Sequence, residues 1–134
     1  MSNTDPTLGE VQARFANDKF ATEACGCTVI EARDGHAVCA LAIGPSHLNA
    51  MGAVMGGAIF TLADFALAVA SNLREHHVSV NSTIDFMSGV RGKRLFATCN
   101  ATKRGRTLSF YTVDVSDELN TPVARMSATC CRVG

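Results

Sequence analysis

From Met55 to Leu73 the chain runs 19 residues with a single ionisable side chain, Asp64, at the middle. A run of that length raises the question of a membrane span. Asp at the centre of a membrane helix costs roughly 2.5–3.5 kcal/mol. Gly56, Gly57, Thr61, Ser71 and Asn72 weaken the run further. The segment therefore reads as a helix inside a water-soluble fold. Ala58, Leu62, Ala63, Ala66, Leu67, Ala68 and Ala70 favour that conformation. Its apolar residues fall on every side, which predicts a helix enclosed by other elements. Gly56 and Gly57 at its start allow a backbone or a ligand to come close. Burial disfavours the charged form of a carboxyl group, so Asp64 needs a reason to be there.

The remaining elements follow from alternation and turn residues. Thr7 to Lys19 reads as a short surface helix. "CTVIEARDGHAVCALAI" reads as two strands about Asp34-Gly35, a hairpin turn signal. Gly44-Pro45-Ser46 breaks the sheet. After the apolar helix, Val78, Val80, Ile84 and Phe86 alternate with polar residues, as do Leu95, Ala97, Cys99 and Ala101. "KRGRT" turns into "LSFYTVDVS", and Asn120-Thr121-Pro122 leads to a last strand carrying Ala124, Met126, Ala128 and Cys130 on one face. The order is two strands, a long helix, then four strands. That predicts an α+β fold, a largely antiparallel sheet wrapped around one long buried helix, with a short N-terminal helix in front.

With 134 residues the chain is expected to form one domain, 1–134, with 1–18 as an N-terminal segment and 19–134 as the core. A formal net charge of zero argues against a general nucleic-acid binder. The cysteines at 25, 27, 39, 99, 130 and 131 form no CxxC and no zinc-spaced cluster. They read as free thiols packed as small apolar groups, which suits a reducing, cytoplasmic setting. The first 23 residues carry six charged side chains and no apolar signal region. Neither a metal nor another cofactor is implied, and no membrane partner.

The string "N-x-x-G-x-x-M-G-G-x-x-x-x-L-A-D", Asn49 to Asp64, together with this element order, resembles the hotdog fold and most closely its PaaI-like acyl-CoA thioesterases. The resemblance extends from about Lys19 onward. It implies hydrolysis of acyl-CoA thioesters by dimers or tetramers whose active sites lie at the dimer interface. It implies that Asp64 is the catalytic carboxylate, as base or nucleophile, and that the Gly56 N–H binds the developing oxyanion. Asn49 and Ser79 match positions that orient the water or the thioester, with Ser82 as a one-step slip of the latter. Met55 stands where the family usually has His, next to Gly57 in the motif, and a thioether cannot donate a hydrogen bond.

Two basic turns, Arg91/Lys93/Arg94 and Lys103/Arg104/Arg106, suit the phosphates of coenzyme A. Plain alternatives stand beside each assignment: an Asx-turn for Asn49, packing for the glycines, solvated turns for the basic residues. His47, His76 and His77 read as loop or surface residues. Two other functions compete with hydrolysis. One is a catalytically silent acyl-CoA binder, with Met55 marking the loss. The other is a hotdog hydratase or dehydratase, for which His47 in "GPSHLNAMGAVMGG" is the only loop histidine.

Overall fold

The computed structural model describes residues 5–134. The element order is α1 Leu8–Phe15, β1 Cys27–Arg33, β2 His36–Ala42, α2 Gly56–Ser71, β3 His77–Phe86, β4 Arg94–Arg104, β5 Leu108–Asp117 and β6 Pro122–Arg132. The strands form one antiparallel sheet in the order β1-β2-β4-β5-β6-β3. Gly35 turns β1 into β2 with a φ of 81°, a left-handed conformation that favours glycine.

Helix α2 lies across the sheet. Its Leu62, Ala63, Ala66, Val69 and Ala70 have no exposed surface. Beneath it the strands present small residues, Ala37, Cys39, Ala97 and Cys99, which let helix and sheet approach closely. Burial pushes the Cys27 and Cys99 thiols up to about 12. They remain neutral at physiological pH and serve as apolar packing. Among the described residues no helix is long and apolar enough to cross a membrane.

Three features differ from the sequence expectation. First, α1 is shorter than Thr7–Lys19. A Thr7–Glu10 capping box starts it, it ends at Phe15, and one wide turn, Phe20–Ala24, follows, closed by the Cys25 N–H donating to Phe20 C=O at 3.0 Å. Second, α1 packs into the core: Val11 and Phe15 join the same hydrophobic cluster as α2. Third, α2 is not enclosed on every side. Gly57, Thr61, Asp64 and Ala68, spaced at four, three and four residues, form one open stripe.

The two sheet edges are unlike. On β1, the Gln12 side chain donates to Val29 C=O at 2.9 Å, so α1 covers that edge. On β3 the outer side is open, and Val78 and Val80 are exposed along it. A bulge between Ser79 and Asn81 shifts the register of β3 against β6. As a result Ser79 pairs with Cys130 and Ser82 with Ala128, and both partners are buried. Ser79 and Ser82 therefore face the same way, toward α2, despite their odd spacing.

Candidate active site

Asp64 sits on the open stripe of α2, exposed in the protomer, and borders two pockets of different character. One, of about 380 Å³, includes Asp18, Phe20, Phe60, Thr61 and Phe65. The other, of about 280 Å³, includes Ser71, Asn72, His77, Ser79 and Cys130. Asp64 thus reaches solvent at the protomer surface, because the helix turns this face away from the sheet. Even so, desolvation by its neighbours raises the Asp64 proton affinity above the usual carboxylate range, and the nearby Asp18 charge adds to it.

The start of α2 forms a second centre. Met55 caps the helix with its backbone only: no side chain accepts from the first turn, and Ala58 and Ile59 N–H both turn back to Met55 C=O. Helix N-terminal N–H groups left this way point outward with a partial positive charge. Gly56 borders a cleft of about 530 Å³ with Val54, Ile59, Phe86, Ser88 and Gly92. A Cβ at Gly56 would lie 3.2 Å from the Phe86 ring, so glycine lets that ring close over the helix start. At Gly57 a Cβ would meet nothing within 4 Å, and the residue faces open space. The Met55 side chain is exposed at the same cap position.

Asn49 adopts the Asx-turn. Its Oδ1 accepts from Met51 N–H at 2.9 Å and Ala53 N–H at 3.1 Å, which shapes the loop leading to Met55. His47 is held likewise: Nδ1 accepts from Gly44 N–H, so Nε2 carries the proton it donates to Cys25 C=O at 2.7 Å. Both ring nitrogens hold the chain path.

The basic turns separate. Arg91, Lys93 and Arg94 flank Gly92 at the Gly56 cleft. Their loop is tied by its backbone, with Arg91 and Gly92 N–H donating to Asp117 and Lys93 and Arg94 N–H to Glu118. The side chains are left exposed, Arg94 lying over the Phe96 ring at 4.9 Å. Lys103, Arg104 and Arg106 lie at the far end of β4, ten residues on and so about 33 Å away. There Arg104 grips Asp34 with two bonds of 2.8 Å. Its guanidinium joins two hairpins through Asp34. No sequence signal links residues 70 positions apart.

Gly56 and Asp64 are eight residues apart on one helix, about 12 Å along its axis. One protomer therefore does not bring them to the same atom. Phe86 over Gly56 and the Ser79/Ser82 alignment are contributions that the sequence did not reveal. The first is tertiary, and the second depends on a bulge with no Gly or Pro to mark it.

An antiparallel sheet wrapped around a single long helix, with Asp64 on the open face of that helix, is the architecture of a hotdog protein. Comparison with known proteins places it further. Residues 51–124 match the thioesterase superfamily, and the chain belongs to that family, among its PaaI-like members. It is 31% identical over 124 residues to Escherichia coli acyl-coenzyme A thioesterase PaaI, covering 91% of this chain and 88% of that protein. It is 32% identical over 95 residues to human acyl-coenzyme A thioesterase 13, covering 68% of each. An esterase-named Deinococcus radiodurans relative is 37% identical over 94 residues, and the match spans 64% of its length. The solved E. coli PaaI superposes with a TM-score of 0.82 at 25% identity, covering 96% of this chain and 97% of that one. A hypothetical thioesterase of Streptococcus pneumoniae, solved with coenzyme A, gives 0.80 at 25% identity over 90% and 97%.

Proposed function

We propose that this chain hydrolyses acyl-coenzyme A thioesters to the free acid and coenzyme A. The observation that carries the reading is Asp64. A carboxylate with raised proton affinity is a stronger base than one in water, and this one opens onto the polar pocket where Ser79 could hold a water. Asp64 takes a proton from that water as its oxygen bonds to the thioester carbonyl carbon. The carbonyl oxygen becomes an oxyanion, which the Gly56 N–H receives at a helix N-terminus. Collapse breaks the C–S bond, and the thiolate leaves with the proton Asp64 had taken. The coenzyme A-bound streptococcal structure and the two acyl-CoA thioesterase relatives support this substrate class.

Because Gly56 and Asp64 are too far apart within one protomer, the working unit is a homodimer, free to pair further into a tetramer. Pairing two β3 edges about a twofold axis sets the two helices antiparallel. The start of one helix then approaches the middle of the other. Cytoplasmic location fits six free cysteines. Arg91, Lys93 and Arg94 contact the nucleotide phosphates, while Met55 and Gly57 border the thioester. The test is a panel of acyl-CoA thioesters scored for thiol release, with a protein-only control for the native cysteines. Release above that control for at least one thioester is expected. A folded dimer inactive on the whole panel, yet binding coenzyme A, would turn the reading toward a silent binder.

A further inference from the structure

The two pockets at Asp64 differ in what they could hold. The polar one suits water. The other is walled by Phe20, Phe60 and Phe65. Phe65 is fixed from behind by Phe15, ring centroids 6.3 Å apart and nearly perpendicular. Phe20, in contrast, is 68% exposed on the wide turn after α1, a large aromatic with little to cover it in the protomer. That turn is held in place: Thr22 Oγ1 donates to the carbonyls of Ala16 and Asp18, and Thr22 N–H also reaches Asp18 C=O.

The charges in this pocket are one-sided. Asp18 and Asp64 both line it, and Asp18 is close enough to raise the proton affinity of Asp64. Among the described residues that line it the one cation, Lys19, is paired with Glu23 at 2.8 Å. An anionic group entering would meet two carboxylates with no free counter-charge.

We infer that the Asp18–Ala21 segment is the acyl-selecting wall of the site: the Phe20/Phe60/Phe65 pocket receives the acyl chain, Phe20 sets its length, and Asp18 rejects acyl groups that end in a carboxylate. This rests on the thioesterase reading and assigns selectivity to an N-terminal segment that lies outside residues 51–124 matched by the family.

The test measures kcat/KM for butanoyl-, hexanoyl-, decanoyl- and succinyl-CoA on wild type, Phe20→Ala, Phe20→Trp and Asp18→Asn, with Tm recorded for each. Phe20→Ala should raise the decanoyl-to-hexanoyl ratio by about 10-fold, the scale of a methylene or more of pocket space. Phe20→Trp should lower it. Asp18→Asn should raise the succinyl-to-butanoyl ratio by about 10-fold, a like-charge clash being removed. An active wild type whose ratios stay unmoved in all three folded variants overturns the selecting wall and leaves the thioesterase reading standing. A wild type that hydrolyses none of the four, nor any other acyl-CoA, overturns both.

Discussion

At the scale of the residue, Asp64 joins the physics of burial to the chemistry. A carboxyl whose pKa is higher folded than unfolded is neutral in the folded state over the interval between the two. Its ionisation costs stability as pH rises through the folded value, and below the unfolded value the cost is absent. Asp64→Asn removes that cost, so at neutral pH its Tm should equal or slightly exceed that of wild type, the gain vanishing in acid. Asp64 is exposed in the protomer, which keeps the effect small. Turnover should fall by about 10²-fold or more, the usual scale of a lost general base, while a non-hydrolysable acyl-CoA analogue still binds. The acid limb of kcat/KM in wild type should lie above the ordinary carboxylate range, since hydrolysis needs Asp64 ionised. Near-normal turnover in Asp64→Asn would end the catalytic assignment. The sequence showed that Asp64 is isolated among apolar residues. It did not show that the face Asp64 shares with Gly57, Thr61 and Ala68 is the open one, because a stripe of small residues looks the same as core until a sheet is placed on the other side.

At the scale of the element, alternation and turn chemistry made every strand legible. The Asp34-Gly35 turn, the break after Ile43 and the four strands after the helix all lie where hydrophobic periodicity put them. What lay outside sequence reach was the placing of one turn relative to another. The two basic turns look equivalent on paper, yet they occupy opposite ends of β4, and only one borders the Gly56 cleft. Changing Arg91, Lys93 and Arg94 together to Ala should therefore raise KM for acyl-CoA several-fold with kcat little changed, since remote phosphate contacts act equally on ground and transition states. The matching change of Lys103, Arg104 and Arg106 should leave KM alone and lower Tm instead, because Arg104 ties its hairpin to Asp34. If both triplets leave KM unmoved, the phosphate assignment fails.

At the scale of the whole molecule, the proposed dimer rests on the open β3 edge. A ten-residue strand with exposed Val78 and Val80 and a free hydrogen-bonding side invites another strand. Replacing both valines with Lys would set like charges against each other across a twofold pairing. The double variant should sediment as a folded monomer by light scattering and ultracentrifugation and lose most of its hydrolysis, since Gly56 and Asp64 would no longer meet. A monomer that keeps full activity would sink the shared site. The opposite edge carries a further consequence. Because Gln12 reaches over β1 and occupies Val29 C=O, that edge is less open to a further strand than β3 is. Two copies joined through β3, as proposed, would present only the β1 edges, where the Gln12 contact works against further strand addition. A Gln12→Ala variant would reopen that end, and slow fibrillar growth at high concentration is the behaviour to look for.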